Sequence, residues 1–286
     1  MRSTNVTVVI PWSGNDSQAL AKQLLLLANQ TSNEPFEVVV ACNSLSAQMH
    51  RPAVSTTNPK ARFIDATENI GISFARNAGV SEAHGTKILF CDADDEVAEN
   101  WVEMMSGMLD SHPAAGSVLD FVSLNGSGFQ RQQKQSKIWP RKVAHYAPTV
   151  PGGSLAIRRE VFESMSGFDP KYDGAEDLEF CFRLHKMGYA LGLTARTEVR
   201  YRLKTSFISA FRAHLKYGRA YAKVLKAYSS VGAHHSPADF IFGLIKVALA
   251  IPLAIFSPRR RVNCGYILGH FVGRLRGSFV YRVWAM

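Results

Sequence analysis

The sequence predicts an α/β fold whose central sheet is mostly parallel. Three observations lead to this prediction. Short apolar runs alternate with longer helical patterns through the first half of the 286 residues, as is typical of strands connected by helices. Acidic or polar residues follow several of these runs, where the ligands of parallel sheets bind. The hydrophobic content of 47% is sufficient for a full core.

The predicted elements follow in order along the chain. VTVVIPW predicts a first strand, DSQALAKQLLLLANQ a helix and FEVVVAC a second strand. A loop is expected next, before the strand RFIDA, the helix SFARNAGVSEAHG and the strand KILFC. The pattern weakens after residue 117, and GFQRQQKQSKIWPRK predicts a flexible loop. It returns in GGSLAIRREVFESMSGF, which predicts a strand and a short helix that Gly167 ends.

The cysteines and the N-terminus favour a cytoplasmic protein. The cysteines are widely spaced, and the absence of a CxxC pair argues against zinc or redox chemistry and for reduced thiols. The apolar stretch near the N-terminus is too short for the core of a signal peptide and is interrupted by Thr7. We therefore expect a location in the cytoplasm.

The segment ILFCDADDEVAEN places Asp92 and Asp94 directly after a predicted buried strand. Side chains alternate along an extended segment, so both carboxylates can address one site. Their mutual repulsion would be relieved by a divalent cation, and Mg²⁺ or Mn²⁺ usually completes its shell with water and substrate phosphates. The segment therefore predicts Mn²⁺ or Mg²⁺ together with a nucleoside diphosphate. The alternative is a solvated turn with an acidic helix start in DDEVAENW.

A second acidic pair, Glu176 and Asp177, begins the predicted helix in GAEDLEFCFRLHKMGY. Carboxylates at that position can simply be favourable charges or caps at a helix start. Together with the first pair, however, they suit a reaction in which a metal stabilises a leaving phosphate and a carboxylate accepts a proton. The two pairs therefore favour group-transfer chemistry.

The C-terminal third carries most of the basic clusters and very few acids, within a chain of formal net charge +10. These clusters flank FIFGLIKVALAIPLAIF, residues 240–256. An anionic partner is expected, and the apolar segment favours a membrane surface over nucleic acid. An interfacial or re-entrant helix is the favoured interpretation, with a buried core helix and a true span as alternatives. We expect peripheral association with the inner face of the cell membrane.

Five segments together resemble the family 2 glycosyltransferases, inverting enzymes with a GT-A fold: VTVVIPW, NIGISFARNAG, ILFCDADDE, GGSLAIRREVFESMSGFD and AEDLEFCFRL. The resemblance lies in their order and spacing and covers about residues 5–205. It implies a nucleotide-diphospho-sugar-binding catalytic domain at residues 1–205. Residues 206–286 would form a helical, basic and apolar region associated with the membrane.

The same resemblance implies roles for single residues. Asp92 and Asp94 correspond to the DxD pair of the family, with Asp94 the stronger metal ligand and Asp92 nearer the ribose and the sugar. Asp177 corresponds to the general base, with Glu176 beside it. The residues implied to hold the nucleotide or to border its base and ribose are Arg76, Pro11, Trp12 and Asp65.

Departures from the family pattern refine these expectations. Asn43, in ACNSLS, stands near the position where many members carry an Asp that holds the base. The QxxRW motif of processive synthases is absent, which argues for the addition of one or a few sugars. The segment VRYRLKTSFISAFRAHLKYGRAYAKVL resembles the tail of members that use Arg or His near the diphosphate. It nominates Arg202 for the diphosphate and His214 as a further metal ligand.

The sequence therefore predicts an inverting transferase that moves a sugar from a nucleotide-diphospho-sugar, with a UDP-sugar favoured. The acceptor would be a hydroxyl of a glycan, a lipid-linked molecule or a small molecule, with the cell envelope as the expected setting. A nucleotidyltransferase is one alternative, although PWSGNDSQ lacks the basic residues of a phosphate loop. The other is a non-catalytic, membrane-associated module that binds a sugar nucleotide or a glycan.

Overall fold

The computed structural model describes residues 5–58, 60–126 and 142–286. The strands in these ranges are β1 (Val6–Trp12), β2 (Phe36–Cys42), β3 (Ala61–Asp65), β4 (Lys87–Cys91), β5 (Glu96–Val97), β6 (Ala114–Asp120), β7 (Lys142–Val143), β8 (Ala147–Pro148), β9 (Ser154–Arg158) and β10 (Leu191–Arg200). The α-helices are α1 (Ser17–Ala28), α2 (Leu45–Val54), α3 (Ile72–Ser81), α4 (Trp101–Ser111), α5 (Arg159–Ser164), α6 (Glu176–Lys186), α7 (Phe207–Tyr228), α8 (Pro237–Leu253) and α9 (Pro258–Tyr281). Apart from Lys142, the loop predicted for GFQRQQKQSKIWPRK lies outside the described residues.

The central sheet has eight strands in the order β3-β2-β1-β4-β9-β6-β10-β5. Strands β3, β2, β1 and β4 pair in parallel, as do β6 and β10, whereas β9 runs antiparallel to β4 and β6. Strand β5 pairs antiparallel with β10 at the edge. This topology confirms the predicted α/β fold with a mostly parallel sheet. The carboxyl ends of β1, β2, β3 and β4 consequently meet at one edge of the sheet.

Both faces of the sheet are covered, which explains why its strands are continuous apolar runs. On one face, Val8 and Ile10 of β1 pack in a core cluster with Leu24 of α1. Val9 points to the opposite face, where it packs in a second cluster with Phe168. The alternation of side chains along β1 therefore feeds two separate cores.

The loop predicted between FEVVVAC and RFIDA is wrong, because helix α2 occupies part of it. The Ser44 hydroxyl caps this helix by accepting a hydrogen bond from the Ala47 N–H at 3.0 Å. Ala47 and Val54 of α2 are buried, but Leu45 and Met49 are 78% and 79% exposed, so the apolar residues of this helix do not form the single stripe on which the sequence prediction depends. The cap, rather than amphipathicity, was the available sequence signal.

The acidic helix start proposed for DDEVAENW is also wrong. Residues Glu96–Val97 form the short strand β5, and helix α4 begins only at Trp101. The carboxylates of Asp94 and Asp95 therefore lie on the connection between β4 and β5, away from the helix N-terminus.

Helices α7 and α9 pack closely through a row of glycines on α9. Gly265, Gly269, Gly273 and Gly277 recur every fourth residue and so share one face of the helix. A Cβ atom at any of the first three would overlap a backbone carbonyl oxygen of α7, and one at Gly277 would overlap Ala222. The two backbones approach each other this closely only because these side chains are missing.

The C-terminal helices share a hydrophobic cluster with the α/β part of the chain. Tyr172 and Phe182 pack there with Val224 and Tyr228 of α7 and with Ala285. The last strand of the central sheet ends at Arg200, and α7 begins at Phe207 with Ser206 as its cap. The division into residues 1–205 and 206–286 stays a prediction, and the shared cluster means that the two parts fold against each other.

Helix α8 exposes most of its apolar side chains. Ala250 is its only buried residue, whereas Ile241, Ile245 and Leu249 are 57%, 49% and 60% exposed. The buried-core interpretation of residues 240–256 is therefore wrong. Nor does the described part of the chain contain a helix long and apolar enough to cross a membrane.

Candidate active site

A cavity of about 940 Å³ opens at the carboxyl ends of β1, β2 and β4. Helices α3, α6 and α7 complete its walls. Eight of the residues predicted from the sequence line it: Pro11, Trp12, Asn43, Arg76, Asp92, Glu176, Asp177 and His214. Asp65, Asp94 and Arg202 lie outside this lining.

Arg76 of α3 joins the two acidic pairs. Its guanidinium donates to Asp92 Oδ1 at 2.9 Å and to Glu176 Oε1 at 3.0 Å. Burial opposes the charged form, but the two carboxylates outweigh this effect and raise the pKa of Arg76. Arg76 is only 1% exposed, so it is a fixed positive charge that sets the positions of two acids on separate segments.

Both carboxylate oxygens of Glu176 are occupied. Oε1 accepts from Arg76, and Oε2 accepts from the Gly174 N–H at 2.9 Å. Burial, reinforced by the nearby charge of Asp177, raises the pKa of Glu176. These contacts suit Glu176 to holding the arginine in place.

Asp177, the next residue, occupies the second position of helix α6 and lines the cavity. Its Oδ1 accepts from the Leu178 N–H at 2.7 Å, and its Oδ2 accepts from the Gly152 N–H at 3.1 Å. Hydrogen bonds from backbone N–H groups fix the carboxylate, and each oxygen retains a lone pair for another donor. Asp177 can therefore accept a proton from a group in the cavity.

Gly152 and Gly153 leave room for this arrangement. A Cβ atom at Gly152 would overlap the Arg76 guanidinium, and one at Gly153 would lie 2.5 Å from Asp92 Oδ2. The sequence prediction did not assign a site role to either glycine. The signal was nevertheless present, because a GG pair immediately before a buried strand indicates close approach to other groups.

The acidic connection after β4 is held together by Arg202. Its Nε donates to the Asp94 carbonyl at 2.8 Å, and its N–H donates to Asp95 Oδ1 at 2.8 Å. Burial and the charge of Asp92 raise the pKa of Asp94. Burial raises the pKa of Asp95 further, with Asp92 and Asp94 adding to the effect. Three carboxylates, those of Asp92, Asp94 and Asp95, thus lie close together at this connection, with Arg202 as a nearby cation.

These carboxylates fit a divalent cation in part. Asp92 Oδ1 is engaged by Arg76, while Oδ2 faces the space that the missing side chain of Gly153 leaves. Burial, with the charge of Asp92 adding to the effect, raises the pKa of Asp94, and a bound cation would favour its charged form. Across the described ranges, no three His, Cys, Asp or Glu groups lie close enough together to hold a metal by themselves. A cation here would need further ligands from water or a phosphate, as Mg²⁺ commonly does.

Asn43 and Asp65 both stabilise turns beside the cavity. The Asn43 amide donates to the carbonyls of Ala66 and Asn69, and its Oδ1 accepts from the Gly71 N–H at 2.7 Å. Asp65 Oδ1 accepts from the backbone and side chain of Thr67. Asn43 therefore shapes the cavity wall where a base-binding residue was expected, and Asp65 is exposed outside it. Whether either contacts a nucleotide stays a prediction.

His214 lines the cavity from α7, among aromatic side chains. Its ring lies 4.6 Å from that of Tyr266 and 5.3 Å from that of Tyr217 between centroids. Burial lowers its pKa to about 4, so the imidazole is neutral near pH 7. Tyr217 and Lys216 also line the cavity, although the sequence prediction assigned neither to the site. The signal for Tyr217 was its three-residue spacing from His214 on α7, whereas Lys216, two residues from His214, gave no such signal.

Comparison with known proteins extends these observations. A sequence model described as Glycosyl transferase family 2 matches residues 7–165, more than half of the chain. The succinoglycan biosynthesis protein ExoA of Rhizobium meliloti is 26% identical over 185 residues, which cover 59% of this chain and 54% of that protein. The amylovoran biosynthesis glycosyltransferase AmsB of Erwinia amylovora is 23% identical over 244 residues, 80% of each chain. This chain therefore spans only about half the length of ExoA.

A solved structure shares the fold over nearly the whole chain. It is the mannosyltransferase PcManGT from Pyrobaculum calidifontis, in complex with GDP-Man and Mn²⁺. The TM-score is 0.66 at 18% identity, with 98% of this chain and 88% of that chain covered. This likeness shows a GT-A fold, and the family match extends through the first acidic pair and the strand β9. The chain belongs to glycosyl transferase family 2.

Proposed function

We propose that this protein is an inverting glycosyltransferase that moves a sugar from a nucleotide-diphospho-sugar to an acceptor hydroxyl. Membership of family 2 supports sugar transfer as the reaction class. The observation that carries the proposal is the placement of Arg76 between Asp92 and Glu176, with Asp177 beside them in the same cavity. The same cavity then holds Asp177 as the proposed general base, Asp92 as the carboxylate proposed to lie beside the donor, and Arg76 as a buried cation.

Asp177 is the proposed general base. An acceptor hydroxyl is a poor nucleophile near neutral pH, so a carboxylate must remove its proton as attack on the anomeric carbon develops. Asp177 is half-buried, lines the cavity and accepts from two backbone N–H groups, whereas Glu176 is buried and its Oε1 is bonded to the Arg76 guanidinium. We therefore assign Glu176 to positioning Arg76, rather than to proton transfer. A single displacement with one base inverts the configuration at the anomeric carbon.

On the donor side, Asp92 and Asp94 are proposed to hold Mn²⁺ or Mg²⁺. When bound, the cation would counter the negative charge of the departing nucleoside diphosphate. The chain contributes the Asp92 carboxylate, which Arg76 orients, and the Asp94 segment, which Arg202 fixes. Pro11, Trp12 and Asn43 border the space proposed for the nucleotide. His214 stays a candidate for a further ligand, since its imidazole is neutral near pH 7 and a neutral imidazole can bind a metal. It is the weaker candidate, because no three possible ligands lie together in the described residues.

Product analysis tests this proposal. UDP-sugars and GDP-sugars would be supplied to the full chain with Mn²⁺, with Mg²⁺ and with a chelator, and nucleoside diphosphate release would be measured. We propose a UDP-sugar as donor, and the GDP-Man complex of the related mannosyltransferase is the reason to include GDP-sugars. Release of pyrophosphate would indicate a nucleotidyltransferase instead. Donor binding without either product would indicate a non-catalytic binding module. Full activity in the chelator would show that the reaction does not need a divalent metal.

We further propose that helix α8 lies on an anionic membrane surface, which would bring a lipid-linked or envelope acceptor to the site. Ile245 and Leu249 are half-exposed or more on α8, and Phe256 just beyond it is 73% exposed. Arg260 and Arg261 follow at the start of α9 and are exposed. Apolar side chains beside basic ones suit the interface of anionic lipids, where each basic residue contributes about 1 kcal/mol.

Vesicle flotation tests the membrane proposal. The double substitution Ile245→Ser with Leu249→Ser should weaken binding to phosphatidylglycerol vesicles, because each buried apolar side chain contributes about 1.5–3 kcal/mol. The matched control is Leu45→Ser with Met49→Ser, which removes two apolar side chains of α2 that are even more exposed, at 78% and 79%. Equal flotation of the two double variants would contradict the assignment of α8 as the membrane-binding surface.

A further inference from the structure

A second cavity, of about 750 Å³, lies between helices α7 and α9. It is rich in positive charge, and Asp173 is the only acidic residue among the described residues that line it. Its six basic lining residues are Lys171, Arg212, Lys216, Arg219, Lys223 and Arg276. Such a concentration of cations within one concave surface favours an anionic ligand.

Four of these basic residues form a stripe along α7. Arg212, Lys216, Arg219 and Lys223 are separated by four, three and four positions, so they project from the same face of the helix. Like charges at these spacings destabilise a helix by a few tenths of a kcal/mol per pair. The fold therefore tolerates a repulsive arrangement here that a bound anion would relieve.

The acidic side chains nearby leave the arginines unneutralised. Asp173 pairs with Lys216 at 2.6 Å, and Asp169 pairs with Lys171 at 2.6 Å. Over the described residues, no carboxylate forms an ion pair with Arg212, Arg219 or Arg276. A planar guanidinium can donate two parallel hydrogen bonds to phosphate oxygens. The three arginines are therefore suited to a phosphate or diphosphate.

The cavity also has an apolar rim and a connection to the candidate active site. Phe279 and Val280 of α9 line it and are 78% and 56% exposed. Lys216 and Asp173 line both cavities. An elongated ligand with its phosphate between α7 and α9 can therefore extend past Lys216 towards Asp177.

We propose that this second cavity binds the phosphate or diphosphate group of the acceptor. The inference rests on the proposed function, because it names the acceptor class for that reaction. The donor diphosphate belongs with Asp92 in the larger cavity, which leaves the second cavity for the other substrate. The phosphate can come from a lipid carrier or from a phosphate-bearing glycan, and the exposed Phe279 and Val280 favour the lipid carrier.

Titration calorimetry with inorganic tripolyphosphate at low salt tests the binding site on the full chain without donor. The double variant Arg212→Gln with Arg219→Gln should lose roughly tenfold or more in affinity, since it removes two charge-assisted donors. The matched control, Lys186→Gln with Lys226→Gln, removes the same charge from exposed positions outside the cavity. It should change the affinity for tripolyphosphate less than about twofold. Equal effects in both double variants, or no effect in either, would overturn the proposal. Arg276→Gln provides a second variant on the opposite wall.

Competition for the bound tripolyphosphate distinguishes the two sources of phosphate. One competitor is a polyprenyl phosphate in phosphatidylcholine vesicles, and the other is a water-soluble oligomer of glycerol phosphate. We expect the polyprenyl phosphate to displace the tripolyphosphate. Displacement by the glycerol phosphate oligomer instead would assign a phosphate-bearing glycan as the acceptor. Displacement by neither competitor would overturn the proposal. Donor turnover is measured separately as nucleoside diphosphate release. If the unsubstituted protein released no nucleoside diphosphate, the proposed function would be refuted, while the measured binding of tripolyphosphate would stand unchanged.

Discussion

The α/β part of the molecule and its C-terminal helices hold charge in opposite ways. Around the candidate active site, Arg76 and Glu176 are buried and bonded to fixed partners. On α7 and α9, Arg212, Arg219 and Arg276 are exposed on a scaffold held by glycine contacts. The first arrangement fixes the position of each reacting group, whereas the second presents charge to a large ligand. Substitutions should therefore affect geometry and stability in the first region and affinity in the second.

The largest effect is expected for Asp177→Asn. Asn retains the size and neutral hydrogen bonding of Asp but cannot accept the proton, so turnover should fall by about 10²- to 10⁴-fold. Donor binding by calorimetry should persist on the same preparation. Asp110→Asn, at an exposed carboxylate that pairs with Lys87 far from the cavity lining, is the control and should leave both quantities nearly unchanged. Near-normal turnover in Asp177→Asn would reject the base assignment.

Arg76→Gln should have the next largest effect, on stability. It leaves two carboxylates, Asp92 and Glu176, without their shared cation, and removal of one partner from a buried ion pair typically costs about 3–5 kcal/mol. Urea unfolding measures the change. The comparison variant is Arg62→Gln, whose partly exposed pair with Glu37 should contribute only about 0–1 kcal/mol. Equal losses in the two variants would show that burial does not distinguish Arg76.

Gly273→Ala should destabilise the protein by about 1–3 kcal/mol, because the added Cβ forces α9 away from the α7 backbone. Gly107→Ala, in α4, has the opposite expected sign. Among the described residues, no atom beyond the adjacent helix backbone lies within 4 Å of a Cβ at that position, so the higher helix propensity of Ala should stabilise by about 0.5–1 kcal/mol. Thermal unfolding of both variants gives the two signs. A stabilising Gly273→Ala would contradict the close packing of α7 and α9.

Acid should weaken the helical region through His270. Burial, with Arg274 adding to the effect, lowers the pKa of His270 to about 3 from an ordinary value of 6.5. The unfolded chain binds the proton first, so this histidine contributes fully above about pH 6.5 and its contribution declines as the pH falls towards 3. We expect a loss on the order of 1–2 kcal/mol between about pH 7 and pH 5. His270→Gln should reduce that pH dependence, while His50→Gln, at an exposed position, should retain it.

The contrast between the regions also explains which features could be predicted from sequence. The strands were predictable because continuous apolar runs such as VTVVIPW have no alternative to a buried sheet. The acids were predictable because polar residues must be placed beyond strand ends, and Asp92 and Asp177 do line one cavity. Their connection through Arg76 was not, because ion pairs between residues far apart in sequence leave no local pattern.

The errors lie where the local hydrophobic pattern is weak or ambiguous. Helix α2 was missed because its stabilising signal is the Ser44 cap, while Leu45 and Met49 remain exposed. Residues 240–256 were compatible with three environments, because an apolar run alone does not reveal which surface covers it. The cations of the second cavity were visible as a basic tail, but their convergence depends on the way α9 packs on α7.

The hydrophobic cluster that joins Tyr172 and Phe182 to α7 has a consequence for cooperativity. Loss of the residues after 205 would expose Tyr172 to water, together with Phe182 and the α6 face on which Phe182 lies. Since α6 also carries Glu176 and Asp177, the packing of the C-terminal helices against α6 helps to hold the proposed base in position. Calorimetry should accordingly show a single unfolding transition for the intact chain. Membrane binding and sugar transfer would then be lost together on heating, because the α/β part and the C-terminal helices would unfold in the same transition.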